Sequence, residues 1–370
     1  MSRTDNESSP GFSTVADGRG HGRRMADQTW FGRHLVAVCL VAVGAVLVGA
    51  LGSWVLYLNN QIGNVERVAL DLDEDRRPAR AGAATDGAMN ILLAGADAGE
   101  GPSIAQAVAD GAWDAGSHRS DTIMVLHITA DREKAYLVSV PRDTYVDIDG
   151  VGRSKINAAF SEGGPSLYVQ TMEDFTGLRM DHLAIIDWEG FRELTTAIGG
   201  VPVYIPEDIY DPSQDVQWNA GTEELEGRRA LQYVRMRYGL EEGDFDRIKR
   251  QQNFLRSFMK KMLSNGTTSN PLKVTNSVEA IVKYLTVDSD FDNSEIQSLA
   301  LSLRSLDEKD VTFVTVPKAG YGTTPDGQSV VLHDEQQTKA LFRAVENDKI
   351  RAYIRKFGSD DVLGKATEVQ

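Results

Sequence analysis

Cysteine is almost missing from this chain. The single one, Cys39, excludes an intramolecular disulfide and any cysteine-clustered zinc site. Histidine is scarce too: His21, His34, His118, His127, His182 and His333 are scattered, with no HExxH and no paired ligand spacing. A catalytic metal is therefore expected to be held mainly by oxygen, which favours magnesium or manganese over zinc. Basic residues are outnumbered, 39 lysines and arginines against 54 acidic residues, giving a net charge of -15. A field of that sign repels a long polyanion, so nucleic acid is excluded as a partner. No internal repeat is apparent, and the 41% hydrophobic and 25% charged fractions are globular values.

What is present begins with one long apolar run. Leu35 to Leu58 carries no charge over 24 residues, enough to span a bilayer as a helix, with Trp54 and Tyr57 placed as interfacial aromatics. Arg19, Arg23, Arg24 and Arg33 lie upstream, whereas Arg67 is the only basic residue before the acidic stretch Asp71 to Asp75. This asymmetry predicts a single-pass plasma-membrane protein with residues 1–34 as a cytoplasmic tail and everything after Leu58 outside. The rival readings are a cleaved signal peptide, for which Ala50-Leu51-Gly52 offers a small-x-small site, and a buried core helix. Length and charge asymmetry favour the anchor.

Residues 59–88 contain Asp71-Leu72-Asp73-Glu74-Asp75-Arg76-Arg77-Pro78 and then Ala/Gly-rich sequence, and read as an extracytoplasmic linker, a stalk. From Met89 the pattern changes. Buried strands are expected at 90–94, 122–128, 135–140, 182–188 and 311–316. Helices are expected at 166–175, 189–198, 244–263, 271–285, 294–303 and 335–346. Such interleaving argues a three-layer α/β domain over residues 89–348, with 349–370 as a C-terminal tail.

Within that domain the arginines gather into two short runs, Tyr233-Val234-Arg235-Met236-Arg237 and Asp246-Arg247-Ile248-Lys249-Arg250-Gln251. Guanidinium groups are permanently charged forks suited to phosphate oxygens, so local basicity in an acidic chain points to phosphate or pyrophosphate. Asp97, Arg119-Ser120-Asp121-Thr122 and Pro141-Arg142-Asp143-Thr144 fall at expected strand ends, where open α/β sheets gather ligands. Acids and arginines mixed there suit a divalent cation and arginines sharing a polyphosphate. Surface ion pairs at turns are the alternative for each residue taken alone. In the 244–263 helix, Phe245, Ile248, Gln252, Leu255, Met259 and Met262 share one face, and Arg247 and Arg250 point away from it, to solvent or to a ligand. Were 233–237 extended, Arg235 and Arg237 would share one side.

These segments, together with Asn90-Ile91-Leu92-Leu93-Ala94-Gly95-Ala96-Asp97, Lys155-Ile156-Asn157-Ala158-Ala159-Phe160 and Gly199-Gly200-Val201, come in the order seen in the LytR-CpsA-Psr proteins. The chain resembles that family closely from Met89 to Leu263, and more loosely to Asp348. The resemblance implies an α/β/α domain around a central mixed sheet behind one N-terminal transmembrane helix. It also implies a magnesium-dependent phosphotransferase outside the membrane of a Gram-positive cell, with manganese as the alternative ion. Such enzymes move a glycopolymer such as teichoic acid from a polyprenyl-pyrophosphate carrier to a peptidoglycan hydroxyl. Carried over, Asp97 and Asp121 hold the cation, while Arg119, Arg142, Arg235, Arg237, Arg247 and Arg250 bind pyrophosphate oxygens. Lys155 and Gln251 line the same pocket, and Asp121 is the preferred base, with Arg142 and Arg119 beside it in catalysis.

One departure stands out. The family often has an arginine two residues after its first aspartate; here the run is Asp97-Ala98-Gly99-Glu100-Gly101, and a longer Gly/Ala-rich insert between Gly99 and Ser117 contains Trp113. A polyprenyl donor also requires an apolar groove. Leu167, Val169, Met172 and Phe175, or Val274, Val278, Ile281, Val282 and Leu285, line such a groove or simply pack a core. Two further functions stay open on sequence: a binding protein for the same lipid-linked glycan, and a hydrolase of its pyrophosphate.

Overall fold

The apolar runs become strands because each supplies one set of side chains to either face of a sheet. Along Met89–Asp97, Leu92, Ala94 and Ala96 enter one buried cluster, while Ile91 and Leu93 enter clusters on the other side. The computed structural model describes residues 56–57, 60–80, 85–97, 103–240, 242–264, 270–303 and 306–369. The apolar run 35–58 lies outside these apart from Leu56 and Tyr57; among the described residues no helix is long and apolar enough to cross a membrane. The α/β domain belongs to a compact unit that runs from Leu58 to Gln370.

Seven strands form the central sheet: β1 (Glu66–Val68), β2 (Met89–Asp97), β3 (Arg119–Ile128), β4 (Ala135–Ser139), β7 (His182–Asp187), β12 (Leu285–Asp288) and β13 (Val311–Thr315). Their order is β1-β12-β7-β2-β3-β4-β13. The sheet is mixed: β2 is parallel to β7 and antiparallel to β3, and β13 is parallel to β4. The other eight strands pair two by two, as β5 (Tyr145–Ile148) with β6 (Gly152–Lys155), β8 (Val201–Ile205) with β11 (Gly221–Leu225), β9 (Ile209–Asp211) with β10 (Val216–Trp218), and β14 (Lys318–Thr323) with β15 (Ser329–His333).

Helices cover both faces. The first cluster joins the sheet to Ala159, Phe160, Tyr168, Val169 and Met172 of the Ala158–Thr176 helix and to Leu341, Phe342 and Val345 of the Glu335–Glu346 helix. On the other face, Leu255 and Met259 of the Asp244–Leu263 helix, Val278 and Val282 of Pro271–Tyr284, and Ile296 and Leu299 of Asn293–Ser302 pack against the sheet. The expected three layers are therefore present. Of the residues offered for a lipid groove, the first set serves this packing, with Val169 and Met172 buried and Leu167 and Phe175 against them, and of the second set Val282 is buried with Val278 and Leu285 beside it.

The Ala158–Thr176 helix starts eight residues earlier than the apolar spacing suggests, because it is broken inside. Gly164 has φ 65° and ψ -161°, and Pro165 follows it. A Cβ at Gly164 would lie 3.1 Å from the ring of Trp113, so the insert docks on this break. Trp113 also donates its indole N–H to the Ser161 carbonyl at 3.1 Å.

Two stretches expected outside the domain fold onto it. In the region read as a stalk, β1 adds an edge strand parallel to β12, and Arg77 donates to the buried Glu173 carboxylate at 2.8 Å and to the Met180 carbonyl at 2.6 Å. In the expected tail, Ile350 and Tyr353 of the Ile350–Phe357 helix are buried. The Thr315 N–H donates to the Asp361 carbonyl at 2.8 Å, and the Leu363 N–H to the Phe313 carbonyl at 3.0 Å, so the last residues line the open edge of β13.

Candidate active site

Strand register gathers the chemistry at one end of the sheet. Asp97 lies opposite Arg119, Ala96 opposite Asp187, and Ser139 opposite both Met124 and Thr315. The expected strands stop at residue 94 and begin again only at residue 122. Instead β2 runs through Asp97 and β3 starts at Arg119, and the pair is interrupted by a bulge. Gly95 faces Thr122 and Ala96 faces Ser120, which leaves Asp121 as the extra residue of β3. A bulge increases local twist and re-aims a side chain, a device common beside active sites. A Cβ at Gly95 would meet the Thr122 Cβ at 2.9 Å, so the close approach of the two strands requires glycine.

Arg142 follows β4 in a turn closed by the Thr144 N–H donating to the Pro141 carbonyl at 2.9 Å. Its guanidinium donates to the Asp121 carboxylate, and its Nε lies 3.8 Å from Asp143 Oδ1 and from Asp244 Oδ2. Burial opposes the charge on Arg142, but Asp121, Asp244 and Asp143 outweigh it and raise its pKa. Lys155, at the end of β6, places Nζ 3.2 Å from Asp143 Oδ1.

Asp244 closes the cluster from the other side. It opens the Asp244–Leu263 helix directly after Gly243, where a carboxylate is favoured by the helix dipole. Its oxygens take Arg237 Nε at 2.9 Å and Arg247 Nη2 at 2.8 Å. Arg247 is only 4% exposed. Burial, countered by Asp244 and reinforced by Arg142, pushes its pKa down to about 10. The buried Nε atoms of Arg247 and Arg142 lack a hydrogen-bond acceptor among the described residues. Four cations (Arg142, Lys155, Arg237, Arg247) thus face three carboxylates (Asp121, Asp143, Asp244) and retain donors for a further anion.

Other expected contributors take different places. Tyr233 to Arg237 is not extended: the Gly227–Arg235 helix runs through its first three residues. Arg235 consequently diverges from Arg237 and lies exposed over the Trp188 ring, 5.3 Å from its centroid. Arg250 is 0% exposed, with its guanidinium 4.7 Å from the Tyr233 ring centroid, so it is not a solvated charge. The side chain of Gln251 donates to the Val234 carbonyl at 3.3 Å and joins two helices. Arg119 is exposed at the mouth, across from Asp97.

Sequence reasoning misses Asp244, although a signal exists: an acid on the first turn, three residues before Arg247 and just after a glycine. As for a metal, no group of three or more histidine, cysteine or acidic side chains is arranged to hold one among the described residues. Of the two carboxylates read from sequence as cation ligands, Asp97 ends β2 and Asp121 is the bulged residue of β3, its carboxylate bound by the Arg142 guanidinium. A separate polar cavity of about 620 Å³ opens at the opposite end of the sheet, lined by Arg77, Asn90, His127, Arg179 and His182, away from this cluster.

A family model described as the LytR_cpsA_psr family matches residues 56–347. Cell wall biosynthesis protein LcpA of Corynebacterium glutamicum is 33% identical over 359 residues, covering 88% of this chain and 67% of that protein. Probable cell wall biosynthesis protein LcpB of the same organism is 36% identical over 307 residues, covering 83% and 69%. Among solved structures, B. subtilis TagV aligns with a TM-score of 0.59 at 24% identity, over 70% of this chain and 97% of that one. The LytR-Csp2A-Psr enzyme from Actinomyces oris aligns with a TM-score of 0.56 at 21% identity, over 76% and 96%. The structures share the fold, and on the family match and the relatives' identity the chain belongs to the LytR_cpsA_psr family.

Proposed function

We propose that this chain is a phosphotransferase that moves a glycopolymer, as its sugar-1-phosphate end, from a polyprenyl-pyrophosphate carrier to a peptidoglycan hydroxyl. The observation that carries this reading is the Arg142, Arg237 and Arg247 cluster at the sheet end, where Arg247 is buried and the Nε donors of Arg142 and Arg247 still lack acceptors among the described residues. A pyrophosphate supplies the acceptors that those donors lack. The names of the Corynebacterium glutamicum relatives, both cell wall biosynthesis proteins, support a cell-wall substrate. The apolar run 35–58 supports a membrane anchor with the domain outside.

Phosphoryl transfer asks a protein for positioning and charge neutralisation more than for covalent help. Arg142, Arg237 and Arg247 orient the pyrophosphate, and Lys155 holds Asp143 beside it. The acceptor oxygen bonds to the phosphorus that carries the sugar. The bond from that phosphorus to the bridging oxygen breaks, and polyprenyl phosphate leaves with the electron pair. As Arg142 turns to the phosphate it releases the Asp121 carboxylate, which accepts the hydroxyl proton. Asp97 and Asp121 would hold magnesium, or manganese, and the ion when bound would neutralise charge on the pyrophosphate.

The test incubates the detergent-solubilised full chain with a polyprenyl-pyrophosphoryl sugar, a peptidoglycan oligomer and magnesium, followed by mass spectrometry. A phosphodiester-linked adduct is expected, lost in Arg142→Ala and with EDTA. Sugar phosphate without an adduct would make the protein a hydrolase. Intact donor that co-purifies would make it a carrier-lipid binding protein.

A further inference from the structure

The mouth of the arginine cluster is flanked by exposed tyrosines. Tyr238 follows Arg237 and is 57% exposed; Tyr321 of β14 is 58% exposed. Core packing accounts for neither ring. Both are held in place. Gly239, with φ 81°, packs so closely that a Cβ there would lie 2.5 Å from the Tyr210 carbonyl oxygen, which pins the Tyr238 turn against β9. Tyr321 meets Phe245, the neighbour of Asp244, edge to face at 6.3 Å and 86°. Lys318 Nζ stands 4.1 Å from the Phe245 centroid and 5.6 Å from that of Tyr321, and 3.4 Å from Glu242 Oε1. The β14–β15 hairpin is fixed beside the site as well, since the Val331 N–H donates to the Asp143 carbonyl at 2.8 Å.

Two solvent-facing rings, each on an anchored backbone, therefore neighbour the charged cluster: Tyr238 is next in sequence to Arg237, and Tyr321 touches Phe245, next in sequence to Asp244. An aromatic face is electron-rich and a ring edge is positive, so flat apolar faces edged by polarised C–H bonds stack on it. The C–H face of a pyranose has that character, and its hydroxyls stay in water. We infer that Tyr238 and Tyr321 form a stacking platform for pyranose rings next to the reacting phosphate. This rests on the glycopolymer-transfer reading and names the residues that select its sugar. The sugar belongs either to the acceptor glycan or to the first residues of the donor polymer.

The experiment uses the detergent-solubilised full chain and compares wild type with Tyr238→Ala/Tyr321→Ala and Tyr238→Phe/Tyr321→Phe. Both side chains are exposed, and the phenylalanine pair keeps the ring contact with the buried Phe245. Transfer is measured against varied peptidoglycan oligomer and, separately, varied polyprenyl-pyrophosphoryl sugar. The alanine pair is expected to raise one KM by about 10-fold with kcat within about 2-fold, and the phenylalanine pair to restore it, since the ring and not the hydroxyl stacks. A rise in the acceptor KM assigns the platform to peptidoglycan; a rise in the donor KM assigns it to the polymer. Unchanged values for both substrates would overturn the proposal. Calorimetric titration with the peptidoglycan oligomer and with a soluble fragment of the donor polymer reads the same contact without turnover. If wild type binds either saccharide more tightly than the alanine pair and transfers nothing, the platform stands while the transfer reading falls. Equal binding of both saccharides by wild type and the alanine pair sinks the platform.

Discussion

Asp244 holds two guanidiniums at once, Arg237 at 2.9 Å and Arg247 at 2.8 Å, with Arg142 at 3.8 Å. Replacing it by asparagine keeps the shape and removes the charge, leaving the buried Arg247 unpaired and close to the partly exposed Arg142 and Arg237. Breaking a buried charge pair from one side costs about 3 kcal/mol. Inorganic pyrophosphate would replace the missing negative charge. Asp244→Asn is therefore expected to melt several degrees lower than wild type and to gain more from pyrophosphate in a thermal-shift titration. Equal gains in the two proteins would show that the arginines do not face a common anion. At this scale the sequence reveals the cations better than their partners. Arg142, Arg237 and Arg247 stand out in an acidic chain, whereas an acid opening a helix looks like a cap and nothing more. Arg250 shows the opposite failure: helical angle places it off the apolar stripe, but only the tertiary fold brings Tyr233 over it.

Elements are legible wherever burial is continuous. The Asp244–Leu263 and Glu335–Glu346 helices match their apolar spacing end to end, and β4 and β13 match their hydrophobic runs to within a residue. β1 is hidden because Glu66-Arg67-Val68 has no apolar pattern and gains its place only through β12. The β2–β3 bulge is hidden for a related reason, since a single extra residue leaves no trace in composition. One junction of elements carries a pH dependence. His182 of β7 lies between Asp288 of β12, 3.3 Å from Nδ1, and Glu295 of the Asn293–Ser302 helix, 3.2 Å from Nε2, and stacks on Phe291 at 3.9 Å. Burial opposes its charge, but the bonds to Asp288 and Glu295 prevail and raise its pKa. A raised folded-state value means that the imidazolium stabilises the fold fully below about pH 6.5, its unfolded value, and less as pH climbs through the folded value. The melting temperature is expected to fall over that upper range. In His182→Gln that particular fall should vanish; an unchanged pH profile would assign it to other groups.

For the whole molecule, the family match stops at residue 347 but the fold does not. Asp361 to Leu363 line β13, which would otherwise expose an unpaired edge, and Ile350, Tyr353 and Val369 bury their side chains in the same unit. Burying an aliphatic or aromatic side chain contributes about 1.5–3 kcal/mol. Three of them approach the net stability of an ordinary domain, about 5–15 kcal/mol. In sequence this tail looks like an appendage because its apolar residues are few and spaced by charges, yet each lands on a gap that the rest of the chain leaves. A chain ending at Asn347 is therefore expected to lose cooperative melting and to self-associate through β13. Ending it at Lys365 instead spares the edge contacts and removes only Val369 among the buried three. That second truncation separates the two contributions: a small drop in melting temperature locates the stability in the helix and the β13 edge, and a collapse equal to the first locates it in the final residues.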